Sequence, residues 1–241
     1  MAKVTLENLN KIFVSKIGKD VKAVNDFNLL LEDGEILALL GSSGCGKTTT
    51  LRMIAGFETA TSGQIKIGER IVNDLKPADR NVAMAFEGYA LYPPLTVKDN
   101  IAFSLMREKI SKDKVDSKVM EVAELLEITD ILERYPPSIS GGQQQRVSLA
   151  RALVRDSDAL LLDEPMSQLE PQLRAVLRAR VKDYIQHNNK TVIFVTHDQT
   201  EAVALADKIA VMENGDLKQL ASPYEISCLL YTSDAADDVR S

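Results

Sequence analysis

The sequence predicts an α/β protein built on a largely parallel sheet with helices on both faces. Three observations lead there. Residues 36–40, 159–162 and 191–196 are short, nearly continuous apolar runs, the pattern of strands buried on both faces. Stretches of helical periodicity separate them, as parallel crossovers require. The second run ends in Asp163-Glu164, and an acid at the carboxyl end of such a strand faces the crevice where open α/β sheets bind ligands.

The elements follow in order. Residues 3–9 alternate weakly through Val4, Leu6 and Leu9, and 24–31 read as a second strand before the Asp33-Gly34 turn. Residues 36–40 form the first buried strand and 49–55 a helix. Residues 63–67 alternate, Gly68-Glu69 turns, and 70–72 return, which makes a hairpin. Val115, Val119, Val122 and Leu126 recur at helical spacing behind Ser111, a candidate N-cap, and Pro136-Pro137 closes that segment. A helical run over 144–154 follows Ser140. Strand 159–163, helix 173–187, strand 191–196 and helix 201–207 restore the alternation. Residues 209–212, the Asn214-Gly215 turn and 216–220 read as a last hairpin. The helix-rich stretch at about 88–156 therefore reads as an insertion, and no internal repeat is visible.

Composition narrows the function. Apolar content of 45% and charged content of 27% suit a soluble globular chain, and no apolar run approaches a membrane-spanning length. Residues 1–7 carry no apolar signal segment, so the chain is expected in the cytosol, reaching a membrane only from its surface. A net charge of −6 argues against broad nucleic-acid binding, which needs a basic face. The two cysteines, Cys45 and Cys228, make no disulfide framework, and Cys45 reads as a small residue filling a tight loop.

The chemistry is concentrated in Gly41-Ser42-Ser43-Gly44-Cys45-Gly46-Lys47-Thr48-Thr49, which lies between a strand and a helix. The pattern G-x-x-x-x-G-K-[ST] in that setting is a phosphate cradle. Its glycines let successive N–H groups turn inward, and the helix start adds its positive end. Lys47 can reach the β- and γ-phosphates, and Thr48 can offer its hydroxyl to Mg²⁺. Asp163 is suited to hold that Mg²⁺, and Glu164 to take a proton from the attacking water. Ser140-Gly141-Gly142-Gln143 reads either as an N-capped helix start or, functionally, as a second anion site.

Ser138-Ile139-Ser140-Gly141-Gly142-Gln143-Gln144-Gln145-Arg146 resembles the signature motif of ABC-type ATPases, and it stands upstream of Asp163-Glu164 as in that family. His197 resembles the family's switch histidine, and Phe13 the aromatic that stacks on adenine. Phe86-Glu87-Gly88-Tyr89-Ala90-Leu91-Tyr92-Pro93 is similar to the loop joining core to helical subdomain, and Ser167-Gln168-Leu169-Glu170 to the loop crossing the dimer interface. Pro77-Ala78-Asp79-Arg80 and Thr196-His197-Asp198-Gln199 are similar to the ATPase subunits of bacterial carbohydrate importers of the maltose and multiple-sugar type, with polyamine importers close by.

The resemblance implies a P-loop NTPase (RecA-like) core with an antiparallel β subdomain and an inserted α-helical subdomain. The domain would occupy residues 1–227, with core segments 1–87 and 157–227 around a helical subdomain at about 88–156. It implies ATP and Mg²⁺ as cofactors and a head-to-tail dimer with a second ATPase subunit. Phe13 and residues 41–49 would hold ATP in one subunit while Ser140, Gly141, Gly142 and Gln143 approach it from the other. Thr48, Asp163 and Glu87 would face the metal, and Glu164, His197 and Glu87 the reacting water and γ-phosphate. Further partners would be membrane permease subunits, contacted through a groove on the helical subdomain, and indirectly a solute-binding protein. The expected location is the cytoplasmic face of the inner membrane, peripheral, with the isolated chain soluble.

Three positions depart from the family's pattern. Glu87 replaces a glutamine and adds negative charge near the γ-phosphate, so slowed or Mg²⁺-sensitive hydrolysis is expected. Glu170 replaces an aspartate, and Ile139 a leucine, a near volume-conserving change. Residues 228–241 continue no motif and resemble a translated sequencing adaptor. They are expected to be non-native, with the C-terminal regulatory domain of carbohydrate importers absent.

Overall fold

The computed structural model describes residues 2–14, 18–106, 108 and 110–226. The adaptor-like tail, 228–241, lies outside them. Strands β1 (Val4–Phe13), β2 (Val21–Leu31), β4 (Ser62–Ile67) and β5 (Arg70–Ile71) form an antiparallel sheet in the order β2-β1-β4-β5. The second sheet has the order β10-β9-β3-β8-β7-β6, from β3 (Ile36–Gly41), β6 (Val82–Ala85), β7 (Ala159–Asp163), β8 (Val192–Thr196), β9 (Lys208–Glu213) and β10 (Asp216–Ala221). It is parallel throughout except for the β9–β10 hairpin at its edge. The helices are α1 (Lys47–Ala55), α2 (Val97–Phe103), α3 (Lys112–Leu125), α4 (Gly141–Leu153), α5 (Pro171–His187) and α6 (Gln199–Leu205).

Strand periodicity divides the core into two. Ile36, Ala38, Leu160, Leu162, Val192 and Phe194 point to one face and pack with apolar residues of α2 to α6. Leu37, Leu39, Leu161, Ile193 and Val195 point to the other and pack with α1 and the antiparallel sheet. Both faces of β3, β7 and β8 are covered, which explains their lack of alternation. The helix-rich stretch is thus bonded into the core through the same sheet face.

The structure corrects several element bounds. α1 starts at Lys47 and α5 at Pro171, each two residues before the expected helix, and α6 runs two residues earlier at both ends. Val72 lies beyond β5. Ser111 occupies the N-cap position of α3, but its side chain caps nothing. Strand β6 and helix α2 were not expected from sequence. α2 is set by Thr96, whose hydroxyl accepts from Asp99 N, and by Asn100, whose buried amide donates to the carbonyls of Tyr92, Leu95 and Thr96.

One buried arginine positions α1. Arg80 Nη1 donates to the Met53 and Ile54 carbonyls at 2.7 and 3.0 Å, Nε to Leu75 O and Nη2 to Asn73 O. The Nη1 pair satisfies carbonyls that the end of α1 leaves open and places a cation at its negative pole. The other end of α1 carries the phosphate loop.

Candidate functional site

Four parallel strands end on one edge of the sheet, and each delivers part of the site. β3 runs into the glycine-rich loop, β6 into Phe86-Glu87, β7 ends on Asp163, and β8 on Thr196 before His197. Between them lies a cleft of about 470 Å³ lined by Ser43, Gly44, Gly46, Lys47, Thr48, Thr49, Glu87, Glu164, Ser167, Gln168, Val195 and His197.

The loop is glycine-dependent for identifiable reasons. Gly46 caps α1 at φ 107, and a Cβ there would collide with the Ala23 carbonyl. Gly44 sits at φ 80, in the left-handed region. Lys47 is buried, and its ammonium lies inside the curl, donating to the carbonyls of Gly41 and Ser42, both at 2.8 Å. Gly41, Ser42 and Cys45 do not line the cleft. The first two face Lys47 through their carbonyls, and Cys45 is packed in the core beneath.

Thr48 Oγ1 donates to Asp163 Oδ1 at 3.0 Å. Burial pushes the Asp163 carboxyl above its usual range; the Thr48 hydrogen bond opposes this, and the charges of Glu87 and Glu164 add to it. A hydroxyl and a carboxylate at this distance are hard oxygen donors of the kind Mg²⁺ takes. Among the described residues no cluster of three carboxylates, histidines or cysteines converges. That is compatible with Mg²⁺, which is held by one or two protein oxygens with phosphates and water.

Glu164 and His197 form a pair at the cleft wall. His197 Nδ1 lies 2.9 and 3.0 Å from the two Glu164 carboxylate oxygens. The hydrogen bond and charge of Glu164 raise the His197 pKa above its ordinary 6.5. Glu164 itself has φ 49, uncommon for a residue with a side chain. Its N–H donates to Val195 O at 3.1 Å, and its carbonyl accepts from Gln145 Nε2 at 2.9 Å and Ser167 Oγ at 3.2 Å. Sequence reasoning did not single out Gln145 as a site residue. Its signal was a place in the signature-like run 138–146, with no role of its own attached to it. Behind His197, Asp198 caps α6 by accepting from Thr200 N and Glu201 N, which fixes the turn.

The remaining expected residues stand outside this cleft. Ser140 caps α4 in a capping box: its Oγ accepts from Gln143 N at 3.3 Å, and Gln143 Oε1 accepts from Ser140 N at 2.9 Å. Gly141 and Gly142 form the first turn of that helix. Phe13 ends β1, 41% exposed, with the Lys11 ammonium 4.7 Å from its ring centroid. Glu170 is the exposed residue before α5, and Ile139 is buried in the core. The loop after Glu87 holds Tyr89 at φ 61 and Ala90 at φ 49, and Arg151 donates to Ala90 O at 2.6 Å. A second groove, also about 470 Å³, opens beside it, lined by Phe86, Tyr89, Tyr92, Phe103, Met106 and Arg151 among others.

Strand ends, phosphate loop and acid pair together define a nucleotide-triphosphate site of the phosphate-loop class. The ABC transporter family model matches residues 24–167, and the chain belongs to that family. It is 49% identical over 232 residues to the trehalose/maltose import ATP-binding protein MalK of Thermococcus litoralis, covering 94% of this chain and 61% of that one. It is 45% identical to the sn-glycerol-3-phosphate import ATP-binding protein UgpC of Ruegeria pomeroyi, covering 94% and 63%. It is 43% identical to the xylose/arabinose import ATP-binding protein XacK of Haloferax volcanii, covering 93% and 59%. The chain thus spans less than two thirds of the length of these relatives. Among solved structures it is similar to the ATP-binding cassette MJ0796, in a dimeric post-hydrolysis state bound to ADP and Pi. The TM-score is 0.84 at 26% identity, covering 91% of this chain and 98% of that one.

Proposed function

We propose that this chain is the ATP-hydrolysing subunit of a membrane ABC importer, with a carbohydrate or related polyol as the solute class. The observation that carries the reading is the joining of two pairs across one cleft: Thr48 with Asp163, and Glu164 with His197. The first pair suits a metal beside the phosphate loop, and the second suits activation of water opposite it. The solute class rests on the names of the relatives, all importers of sugars or glycerol phosphate.

In this reading Lys47 leaves the loop carbonyls to meet β- and γ-phosphate oxygens, and the loop N–H groups orient them. Thr48 and Asp163 would hold Mg²⁺, which would supply neutralisation of phosphate charge when bound. Glu164 accepts a proton from water, and His197 steadies its carboxylate while offering Nε2 to the γ-phosphate. Phe13 stacks on the base. Ser140, Gly141 and Gly142 act on the nucleotide of a second subunit in a head-to-tail dimer, consistent with their position outside the cleft. The aromatic groove around Tyr92 receives a helix of the permease. Among the described residues no helix is long and apolar enough to cross a membrane, so the attachment would be peripheral.

Glu87 favours a second reading, a nucleotide-gated switch that hydrolyses slowly, because its carboxylate faces the cleft beside Asp163 and Glu164. One experiment tests both: Mg²⁺-dependent ATP hydrolysis by the purified chain, Glu164→Gln and Glu87→Gln. Turnover that rises steeply with protein concentration and vanishes in Glu164→Gln supports the importer ATPase. ATP binding without turnover, restored in Glu87→Gln, supports the switch. Turnover that survives Glu164→Gln refutes the assignment of the base.

A further inference from the structure

We infer that Gln145 is a positioning residue for hydrolysis, holding the Glu164 backbone in its left-handed conformation and tying it to the neighbouring 167–168 segment. The inference rests on the reading of Glu164 as the base. Gln145 is 3% exposed and every polar atom of its amide is used. Nε2 donates to Glu164 O at 2.9 Å and Ser167 Oγ at 3.1 Å, while Oε1 accepts from Gln168 N at 2.9 Å. The partners fix the orientation of the amide, because a carbonyl demands a donor and an N–H demands an acceptor. Only an amide of this reach meets both demands.

The need for such a brace follows from Glu164. A non-glycine residue in the left-handed region persists only where its surroundings over-determine it. Val195 holds its N–H from β8, and Gln145 and Ser167 hold its carbonyl. Releasing the carbonyl lets the peptide relax and swings the carboxylate away from His197. Gln145 also sits on α4, the helix that Ser140 caps. Displacement of that helix start by an anion is therefore passed to Glu164 through a rigid element and two hydrogen bonds.

The test compares Gln145→Met, Gln145→Glu and Glu164→Gln with the parent chain. Gln145→Met keeps length and volume but removes all three hydrogen bonds. It is expected to lower kcat roughly 10–100-fold, the scale of an ångström-level misplacement, with ATP affinity unchanged. Gln145→Glu keeps the acceptor for Gln168 N but sets a carboxylate against the Glu164 carbonyl. Its activity relative to the parent should rise as pH falls, because the protonated carboxyl donates again. A packing role would not produce that pH dependence. Normal kcat in Gln145→Met, a matching loss of ATP affinity, or a pH-independent activity ratio in Gln145→Glu overturns the inference. Collapse of the fold in both Gln145 variants also overturns it, making Gln145 a residue of the core alone. If Glu164→Gln is inactive and Gln145→Met is normal, only this inference fails; if Glu164→Gln stays active, the reading beneath it fails too.

Discussion

The ammonium of Lys11 offers the clearest quantitative test of how the Phe13 ring is held. Lys11 Nζ donates to Glu58 Oε1 at 2.7 Å and Thr59 O at 2.8 Å, and lies 4.7 Å from the Phe13 ring centroid. The lysine side chain is 10% exposed and that of Glu58 29%, so this pair is screened less than a surface pair. Lys11→Met keeps the buried stem and deletes the charge. Hydrogen bonds to charged groups contribute about 1.5–3 kcal/mol, and a cation over an aromatic ring about 0.5–1 kcal/mol. Glu58 can rehydrate, which offsets its hydrogen bond, so the net loss is the lower end of one such bond plus the ring contact, about 2 kcal/mol. For a chain of this length that lowers Tm by about 4–8 °C. Urea unfolding of Lys11→Met, Phe13→Leu and the double variant isolates the ring contact, with an expected coupling of about 0.5–1 kcal/mol. The same cycle read by ATP titration should show weaker binding in Lys11→Met, because the ring is no longer fixed. A coupling of zero within error, or a loss below about 0.5 kcal/mol in Lys11→Met, would refute the argument.

Other consequences are equally open to measurement. Glu87→Gln removes one of the charges that raise the Asp163 carboxyl pKa and should increase ATP turnover while lowering the Mg²⁺ needed for it; an unchanged rate and Mg²⁺ dependence would show that Glu87 is inert. The His197 ring should titrate above 6.5 by NMR in the parent chain and fall back towards it in Glu164→Gln. The sign follows: stability from this exposed pair is present below pH 6.5 and lost as pH rises through the raised value. Ser140→Ala should cost about 1 kcal/mol of stability and Ser140→Gly only a few tenths, yet both should abolish turnover alike if the hydroxyl meets a phosphate. Glu201 accepts from Thr196 Oγ1 at 2.6 Å, but its other oxygen finds no donor among the described residues. Burial raises its pKa above 4.5, so the folded state binds its proton more tightly and stability falls as pH rises through 4.5 and the folded value. Denaturation of Glu201→Gln should therefore show a gain over the parent that grows across that range; a constant difference would count against it.

What the sequence made legible were features written in contiguous chain. The buried strands β3, β7 and β8 show as apolar runs because both their faces are covered. The phosphate loop shows because its backbone needs fixed glycine positions, and Asp163-Glu164 because they end a strand. Strand β6 did not show, since Val82-Ala83-Met84-Ala85 is four residues with two alanines and carries too little periodicity. Helix α2 escaped because Asn100 interrupts its apolar face; the residue is buried for its hydrogen bonds, not its hydrophobicity. A Thr96-to-Asp99 capping signal was available there and would have found it.

The polar connections were illegible for a different reason. Gln145 meets partners 19 to 23 positions away, and Lys11 meets Glu58 across 47. Nothing local distinguishes such a glutamine or lysine from one in solvent; only the folded sheet brings the partner groups together. Yet these residues decide where Glu164 and Phe13 point. The motifs supply reactive groups at the carboxyl ends of the strands, and their aim is set by buried side chains whose partners the motifs do not reveal. A variant that keeps the phosphate loop, Asp163 and Glu164 and loses Gln145 should therefore still bind nucleotide while its water is poorly placed. Comparing ATP affinity with turnover in that variant separates the two contributions more directly than any substitution of the reacting groups themselves.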